Sequence, residues 1–458
     1  MKLVLVNILL ALSFFFYSCK KDILIDPTST EQVIPGVDTA KTVDPIVGNY
    51  RTINVGTGSG DLVIDGSTLA LQCNDHIKIT RGSYKSITIK DISAADGCSI
   101  VITNDGLVDI AGDFSQMNLS NLKGVTLSGD GDPNIEYGFQ FHDNVYKAIM
   151  ISKSYNRCTI QYVSFKNIRD YVITFASDLV YNGTESSYSK DLKFLNNFCE
   201  NTSSYLQFSG SVENGKIVGL VKNIEIANLK FVNSSTVGTM VWIGCVEGYD
   251  VHNNRVDNIN SANNNHNGIF HLLGNGKFHD NYVSNHQGNA LRAWTFSLGS
   301  TPKEVLIYNN IVVNSRKYSA FETQSFANYV SAQVTYANTK VYNNTCGNLN
   351  LEKDWYANIV DIYNLQGGTC KVFNNIGFNF PSPNPNSKIY NQQSVTIPEN
   401  TNNLYFDSPV AANFADESRF SLKQSSSAKN AGIAVTGLLK DYYTTIRSSN
   451  KPSIGAVE

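Results

Sequence analysis

Val251-His252-Asn253-Asn254-Arg255-Val256 is one copy of a short pattern that recurs along the chain. Each copy has an apolar residue, one outward residue, two polar residues that are usually Asn-Asn, and then an apolar strand. Clear copies also begin at Phe194, Phe278, Ile307, Val341 and Val372, and a looser copy is Ile226-Ala227-Asn228-Leu229. We place the second Asn of the copies at Asn197, Asn228, Asn254, Asn281, Asn310, Asn344 and Asn375. A strand-like repeat of about 30 residues without helices predicts the stacked coils of a β-solenoid.

The Asn pairs suit the corners of such coils. Asn tolerates the left-handed backbone conformation that a sharp corner requires, and stacked Asn side chains can hydrogen-bond from one coil to the next. The pattern is strong from residue 190 to 380. It is weaker from 50 to 180, in runs such as Leu62-Val63-Ile64, Ile87-Thr88-Ile89 and Val125-Thr126-Leu127. We therefore expect one solenoid to occupy most of the chain.

These repeats resemble right-handed parallel β-helix proteins of the pectate-lyase-like superfamily. The ending Pro452-Ser453-Ile454-Gly455-Ala456-Val457-Glu458 also resembles the closing segment of many bacterial β-helix proteins. The resemblance implies an all-β fold, a single-stranded right-handed parallel β-helix (solenoid) over residues 46–458. A β-propeller is the main rival, but its longer blades carry aromatic signatures that are missing here. No catalytic residues can be carried over, because the strip described below matches neither the Lys/Arg-plus-calcium pattern of pectate lyases nor the Asp cluster of polygalacturonases.

The N-terminus has the pattern of a lipoprotein signal peptide. Lys2 precedes an apolar stretch from Leu3 to Phe16, which is too short for a good membrane span. Tyr17-Ser18-Cys19 then resembles a bacterial lipobox, with Phe16 where Leu is usual. We expect 1–19 to be the signal peptide with Cys19 as the lipidation site, and 20–45 to be a flexible tether. The protein would then be exported and lipid-anchored to the outer membrane of a Gram-negative bacterium, on its periplasmic or cell-surface face. An ordinary signal peptide is the alternative.

Composition limits the partners and the cysteine chemistry. Charged residues make up 16 % of the chain and the formal net charge is −3, so no basic patch indicates nucleic-acid binding. We expect a monomer whose partners are a polysaccharide and, through an acylated Cys19, the lipid bilayer. The other cysteines are odd in number and irregularly spaced, which does not favour a disulfide framework. Cys158, Cys245 and Cys370 are expected to pack as small apolar residues.

Outward residues of stacked coils should form columns, since equivalent positions lie about 4.8 Å apart. A first column of rings precedes the Asn corners: His252, His279, Tyr308, Tyr342 and Phe373. These rings can stack on sugars, or on one another as a ladder that only stabilises the solenoid. A second column follows the inward residues Val241, Phe270, Leu291, Phe321 and Val360. Its outward members are Trp242, His271, Arg292, Glu322 and Asp361, followed two residues later by Gly244, Leu273, Trp294, Gln324 and Tyr363. We call this second column and its followers the strip.

The strip has the groups for two reactions on polysaccharides. A lyase needs a base and a positive charge beside a uronate, which Arg292 and either His271 or Lys277 would supply. A glycoside hydrolase needs two carboxyl groups, about 5 Å apart for retention and about 6.5–9.5 Å apart for inversion, which Glu322 and Asp361 on adjacent coils can satisfy. The expected catalytic residues are therefore His271, Arg292, Glu322 and Asp361. The expected substrate-binding residues are Trp242, Trp294, Gln324, Tyr363, Lys277 and His279.

The sequence thus predicts an envelope-anchored β-helix protein that acts on extracellular polysaccharide as a lyase or a glycoside hydrolase. A non-catalytic glycan-binding or adhesion protein is one alternative. A structural solenoid, in which Arg292 simply offsets Glu322, is another. No cofactor or metal site is predicted. Asp130-Gly131-Asp132 and Asp143-Asn144 offer oxygens to Ca²⁺, although such sequences more often form polar turns.

Overall fold

The computed structural model describes residues 50–382, 388–393 and 395–458. The expected signal peptide, Cys19 and the expected tether lie outside the described residues, as do residues 46–49. Among the described helices, none has the length and apolar character needed to cross a membrane.

The described chain is a parallel β-solenoid of about 12 turns, with 51% of its residues in strands and 3% in helices. This confirms the predicted fold class. Each turn crosses three parallel sheets. We number them 1, 2 and 3 in the order in which the chain passes through them. Long strands bend at a corner and contribute to two sheets or, for His76–Ser93, to all three.

Sheets 1 and 2 meet at the Asn corner. The strands of sheet 1 are Thr52–Val55, the start of His76–Ser93, the start of Ile100–Ala111, Val125–Ser128, Thr159–Gln161, Ser189–Leu195, Val221–Ala227, the end of Val241–His252, the end of Gly268–His279, Glu304–Tyr308, Asn338–Tyr342, Cys370–Phe373 and Glu399–Thr401. The strands of sheet 2 are the start of Ser59–Asp65, the middle of His76–Ser93, the end of Ile100–Ala111, Phe139–Asn144, Val163–Ile168, Phe198–Glu200, Lys230–Ser234, Arg255–Ile259, Tyr282–His286, Ile311–Ser315, Thr345–Gly347, Ile376–Phe378 and Leu404–Phe406.

Sheet 3 carries the strip. Its strands are the end of Ser59–Asp65, the end of His76–Ser93, Gln116–Lys123, Ile149–Asn156, Ile173–Ala176, Leu206–Ser209, the start of Val241–His252, the start of Gly268–His279, Asn289–Thr295, Phe321–Gln324, Val360–Ile362 and Tyr390–Gln392. Short antiparallel pairs lie outside the three sheets: Ser211–Glu213 with Lys216–Val218, Ser297–Leu298 with Val334–Thr335, and Phe414–Asp416 with Ser421–Leu422. The helical segments are Gly66–Thr68, Glu185–Ser187, Ala327–Tyr329 and Pro409–Ala412.

The core is a column of apolar side chains enclosed by the three sheets. Alternate residues of each strand point inward, so Val251, Phe278 and Ile307 of sheet 1 and Phe270 and Leu291 of sheet 3 are all completely buried. Each turn leaves its apolar face open until the next turn covers it, and stability therefore comes from stacking.

A hydrogen-bonded Asn ladder runs along the corner between sheets 1 and 2. The Nδ2 of Asn254 donates to Oδ1 of Asn281 at 2.9 Å, and the contact repeats from Asn281 to Asn310 and from Asn310 to Asn344 at 3.0 Å. The residue before each ladder residue, Asn or in one coil Asp280, adopts the left-handed conformation, as at Asn253 with φ 55. The sequence register was wrong in one coil: Asn228 occupies this left-handed position, and Leu229 occupies the ladder position, where its N–H donates to Asn254.

The first column is a stack of rings on sheet 1. Successive centroids lie 5.0 Å apart from His252 to His279 and 4.6 Å apart from His279 to Tyr308. The planes of His279 and Tyr308 are within 3° of parallel. The ring faces therefore cover one another, which favours the stabilising ladder over stacking on sugars. His279 also bonds Asp250 and Asp280 at 2.8 and 2.7 Å, and although burial acts against it, these carboxylates raise the pKa of His279.

The last 50 residues fold back against the outside of sheet 2. Outward side chains such as Ile311 and Phe378 pack with Phe414 and Ile454 in a second apolar cluster. The buried guanidinium of Arg447 donates to Oδ1 of Asn309 at 2.9 Å. The closing segment therefore covers the corner beside the Asn ladder.

One disulfide corrects the cysteine prediction. Cys73 and Cys98 are bonded to each other, in neighbouring turns at the N-terminal end of the described solenoid. The irregular spacing hid this pair, because two cysteines 25 residues apart become neighbours only once the coil length is known. Cys158, Cys245 and Cys370 are free and buried, as predicted.

Candidate functional site on sheet 3

The pairing of sheet 3 aligns the predicted strip. Trp242 pairs with His271, His271 with Arg292, Arg292 with Glu322, and Glu322 with Asp361. In the follower column, Leu273 pairs with Trp294 and Trp294 with Gln324. Gly244 has no direct partner there, because the register shifts after Ile243, and the pairing with Phe321–Gln324 ends at Ile362, one residue before Tyr363. The register inferred from sequence is therefore correct for the five main positions.

Two predicted substrate-binding residues lie elsewhere. Lys277 and His279 are on sheet 1, where the Nζ of Lys277 lies 3.7 Å from Asp250. The strand Gly268–His279 turns a corner after Gly274, so residues at its two ends belong to different sheets. The sequence analysis placed His279 in the first column, where the structure has it, but it placed Lys277 beside His271, and this was wrong.

Loops cover much of the strip. Glu322 is 0 %, Asp361 4 % and His271 5 % exposed, although the strip lies outside the apolar core. The covering segments connect sheet 2 to sheet 3 on one side, with residues 260–267, 316–320 and 348–359. On the other side, residues 325–337 connect sheet 3 to sheet 1. Arg292, Trp294, Gln324 and Tyr363 keep partial exposure, so a ligand would meet these groups before the carboxyl groups.

The centre of the strip is an ion cluster built around Glu322. Its Oε1 accepts from Nε of Arg292 at 2.6 Å and from Nε2 of Gln324 at 2.8 Å. Its Oε2 lies 3.2 Å from Nε2 of His266. Burial acts against ionisation of this carboxyl, but His266 and Arg292 outweigh it and hold the pKa of Glu322 below its usual range. We call Arg292, Glu322 and His266 the ion cluster.

His266 is a site residue that the sequence analysis missed. It lies in the loop before Gly268–His279, and its side chain is 26% exposed. Its Nε2 also lies 3.0 Å from Oδ1 of Asn289, and its Nδ1 lies 3.4 Å from a terminal nitrogen of Arg292. No strand pattern places a loop residue, so the signal was only the local density of histidines. His266 is thus the part of the ion cluster, with Arg292, that meets solvent.

The pKa of Asp361 is shifted in the opposite direction from that of Glu322. Burial raises its pKa to about 6, against hydrogen bonds from Ser319 and Asn358, and the charge of Glu322 acts in the same direction as burial. Nδ2 of Asn358 donates to Oδ1 of Asp361 at 3.0 Å. Two neighbouring carboxyl groups with separated pKa values are a pattern of functional sites, although both are buried here.

His271 lies between two indole rings rather than beside a substrate. Its ring makes edge contacts with Trp242 and Trp294 at 4.6 and 4.4 Å. Burial, aided by the nearby Arg292 charge, lowers the pKa of His271 to about 3. An imidazole with so low a pKa is neutral but a weak base.

The residues considered for Ca²⁺ form polar turns and side-chain contacts. Asp130 accepts from Ser128 at 2.5 Å, and Asp143 contacts His142 and Asn167 at 2.7 Å each. Within the described ranges, no group of three or more His, Cys, Asp or Glu side chains is arranged to hold a metal ion. Calcium binding stays a weak prediction.

The comparisons with known proteins bear on the fold. No family model matches the chain, and no curated protein matches it. Among solved structures, it is similar to a PL6 family polysaccharide lyase from Pseudopedobacter saltans, with 12% identity, a TM-score of 0.40, and coverage of 89% of this chain and 99% of that one. It is also similar to pectate lyase Pel9A, with 12% identity, a TM-score of 0.39, and coverage of 90% and 97%. An alginate lyase from Paenibacillus sp. str. FPU-7 has 15% identity, a TM-score of 0.36, and coverage of 76% and 98%. Identities and TM-scores this low carry no argument about the reaction of this chain.

Proposed function

We propose that this protein is an envelope-anchored enzyme that cleaves an extracellular, uronate-containing polysaccharide by elimination at the ion cluster. One observation carries the proposal: a partly exposed imidazole and a partly exposed guanidinium share a fully buried carboxylate on the floor of an aromatic-lined strip. A base and a cation at one point are what removal of a proton beside a uronate carboxylate requires.

His266 is the proposed base. Nε2 of His266 bonds Oδ1 of Asn289 and lies 3.2 Å from Oε2 of Glu322, so the proton is placed on Nε2 and the lone pair on Nδ1, which faces a terminal nitrogen of Arg292 at 3.4 Å. When a substrate carboxylate draws this Arg292 donor away, Nδ1 would take the proton from the carbon next to the uronate carboxylate. The electron pair left behind forms the new C=C bond as the glycosidic oxygen departs on the adjacent carbon.

Arg292 is the proposed carboxylate-binding group. A guanidinium has five N–H donors, and this one directs donors to Glu322, to the carbonyl oxygen of His266 at 3.1 Å and to its Nδ1. Two donors on the terminal nitrogens remain for a substrate carboxylate. Their positive charge would stabilise the negative charge that develops when the proton leaves.

Hydrolysis fits the geometry less well. Both hydrolytic schemes need two carboxyl groups in contact with the sugar, whereas Glu322 and Asp361 are almost completely covered. The sequence-based lyase scheme is retained, but its base changes. His271 is too weak a base, and Lys277 is on another sheet.

A non-catalytic glycan-binding protein is the second candidate. The complete burial of Glu322 and its contacts with Arg292, Gln324 and His266 favour it, because such a cluster is also a stable structural unit. In that case the partly exposed aromatic groups would carry the interaction, and the charges would only hold the loops.

Anchoring by acylated Cys19 and a monomeric state are also proposed, on the sequence pattern. Radiolabelled palmitate should be incorporated into the full-length protein in a Gram-negative host and not into the Cys19→Ala variant. A labelled Cys19→Ala protein would overturn the anchor.

The activity test is a panel of uronate-containing and neutral polysaccharides, incubated with the purified full-length protein. Ultraviolet absorbance reports unsaturated uronate products, and a separate assay reports reducing ends. We expect absorbance to rise on a uronate polymer, and His266→Gln to lower turnover about 100-fold or more while the polymer still binds. His252→Gln, on sheet 1, is the matched control and should leave turnover unchanged. Reducing ends without absorbance would indicate hydrolysis, and binding without either product would favour the second candidate.

A further inference from the structure

Trp355 is a large apolar side chain that the solenoid leaves in solvent. It is 41% exposed, and the next residue, Tyr356, is 40% exposed. Trp and Tyr are enriched at binding surfaces, because their rings combine a large apolar face with a polar group. Trp355 lies in the segment between Asn350 and Asn358, one of the covering loops of the strip.

Hydrogen bonds fix the backbone of the loop that carries this ring. Nδ2 of Asn350 donates to the carbonyl oxygen of Trp355 at 2.5 Å and to that of Pro381 at 2.8 Å. The neighbouring backbone is fixed to the adjacent loop, where the N–H of Leu351 donates to the carbonyl oxygen of Ser315 at 3.0 Å. A platform that is already fixed loses little conformational entropy on binding a ligand.

The position of Trp355 joins it to the ion cluster. Its ring centroid is 6.4 Å from that of His266 and 5.6 Å from that of Tyr318, and Tyr318 itself stacks on His266 at 4.2 Å. On the opposite side of the ion cluster, the Arg292 guanidinium lies 5.9 Å from the ring of Trp294. The reactive groups therefore have an indole ring on each side.

We propose that Trp355 is the stacking platform of a sugar-binding subsite next to the ion cluster. This inference rests on the proposed function. It assigns the subsite to a pyranose ring of the same polysaccharide chain whose glycosidic bond is broken at His266. The apolar face of the sugar would stack on the indole, as sugars and aromatic rings pair through dispersion and C–H contacts. The subsite then favours substrates longer than one sugar, because a single ring cannot occupy the ion cluster and the platform together.

The test compares Trp355→Ala, Trp355→Phe and Tyr356→Ala in the full-length protein. Retention in gels that contain polygalacturonate, alginate or a neutral β-glucan measures binding, and the same uronate polymers serve in the activity assay. We expect Trp355→Ala to weaken binding and raise KM by about tenfold. It should leave kcat and the melting temperature unchanged, and Trp355→Phe should recover most of the binding. Tyr356→Ala, equally exposed on the same loop, is the control with a smaller effect.

The outcomes separate the subsite from the reaction. Cleavage with an unchanged KM in Trp355→Ala would overturn the subsite and leave the proposed function standing. Binding that depends on Trp355 without any cleavage would keep the subsite and overturn the lyase. Wild-type protein that none of the three polymers retains would overturn the subsite.

Discussion

Two buried polar regions of this solenoid differ in how their groups are satisfied. At the corner between sheets 1 and 2, each Asn of the ladder bonds to the next coil with the same geometry, at 2.9 to 3.0 Å from Asn254 to Asn344. On sheet 3, no two neighbouring coils of the strip carry the same residue, and the charged members partner loop residues such as His266.

The difference separates structural from functional polarity. Each Asn side chain of the ladder needs only the Asn of the next coil as its hydrogen-bond partner, so the stacking of coils satisfies the ladder. The strip holds a buried carboxylate, a guanidinium and a second carboxyl of raised pKa, none of which a solenoid requires. Buried Nε2 of His271 and Nε1 of Trp294 have no hydrogen-bond partner, and unsatisfied buried groups are costly. We therefore interpret the periodic burial as structural and the aperiodic burial as the mark of a candidate site.

The largest expected effect is on the ladder side. Asn310→Leu removes the acceptor of the N–H and Nδ2 of Asn281, and the donor to the carbonyl oxygen of Phe278. Several buried groups lose partners at once, so we expect the free energy of unfolding to fall by about 5 kcal/mol in urea titrations.

The half-buried amide of Asn314 donates to Asn285 and accepts from Asn348, and Asn314→Gly, which removes it, should lower the free energy of unfolding by about 1 kcal/mol. Equal losses of unfolding free energy in the two variants would contradict this prediction. They would mean that the Asn ladder can lose its member at position 310 as easily as it does without an Asn at Leu229.

Glu322→Gln tests the centre of the strip. The change keeps the shape but leaves Arg292 without its counter-charge in a mostly covered position. We expect the free energy of unfolding to fall by about 4 kcal/mol, together with loss of polysaccharide cleavage. Urea titration and the product assay measure both. A variant with wild-type stability and wild-type cleavage would show that the ion cluster contributes to neither.

A pH titration should distinguish Asp361 from an ordinary carboxyl. Its folded pKa is raised to about 6, while the unfolded value is about 3.9. Between these values the unfolded chain releases a proton that the folded chain keeps, so stability falls as pH rises. From pH 4 to pH 7, wild type should lose about 2 kcal/mol relative to Asp361→Asn, which cannot ionise. Parallel stability curves for the two proteins would contradict the raised pKa.

The smallest expected effect checks the correction of the strip's membership. Lys277 and its partner Asp250 are exposed on sheet 1, with side chains 51% and 39% exposed. Lys277→Ala should therefore change the free energy of unfolding by less than about 0.5 kcal/mol. It should leave turnover unchanged, because the ammonium cannot act from another sheet. A clear loss of turnover would return Lys277 to the site.

The solenoid and the main register of the strip could be predicted because both depend on strand periodicity. Once Val241, Phe270 and Leu291 were aligned as inward residues, Trp242, His271 and Arg292 had to be neighbours. The same reasoning failed wherever the chain leaves the strand pattern. It missed His266 and Trp355 on loops, assigned Lys277 to the wrong sheet across a bend, and overestimated the exposure of Glu322, since loop packing has no period to read.

The C-terminal segment covers an apolar surface that is synthesised before it. Residues after Pro409 cover outer apolar side chains of turns formed earlier in the chain, and Arg447 reaches back to Asn309. Because synthesis runs from the N-terminus, that apolar row on sheet 2 stays uncovered until residues 414–457 have been made. Removal of residues 449–458 would take Ile454, Ala456 and Val457 out of this cluster, so we expect such a variant to expose part of the row to other chains and to aggregate more readily.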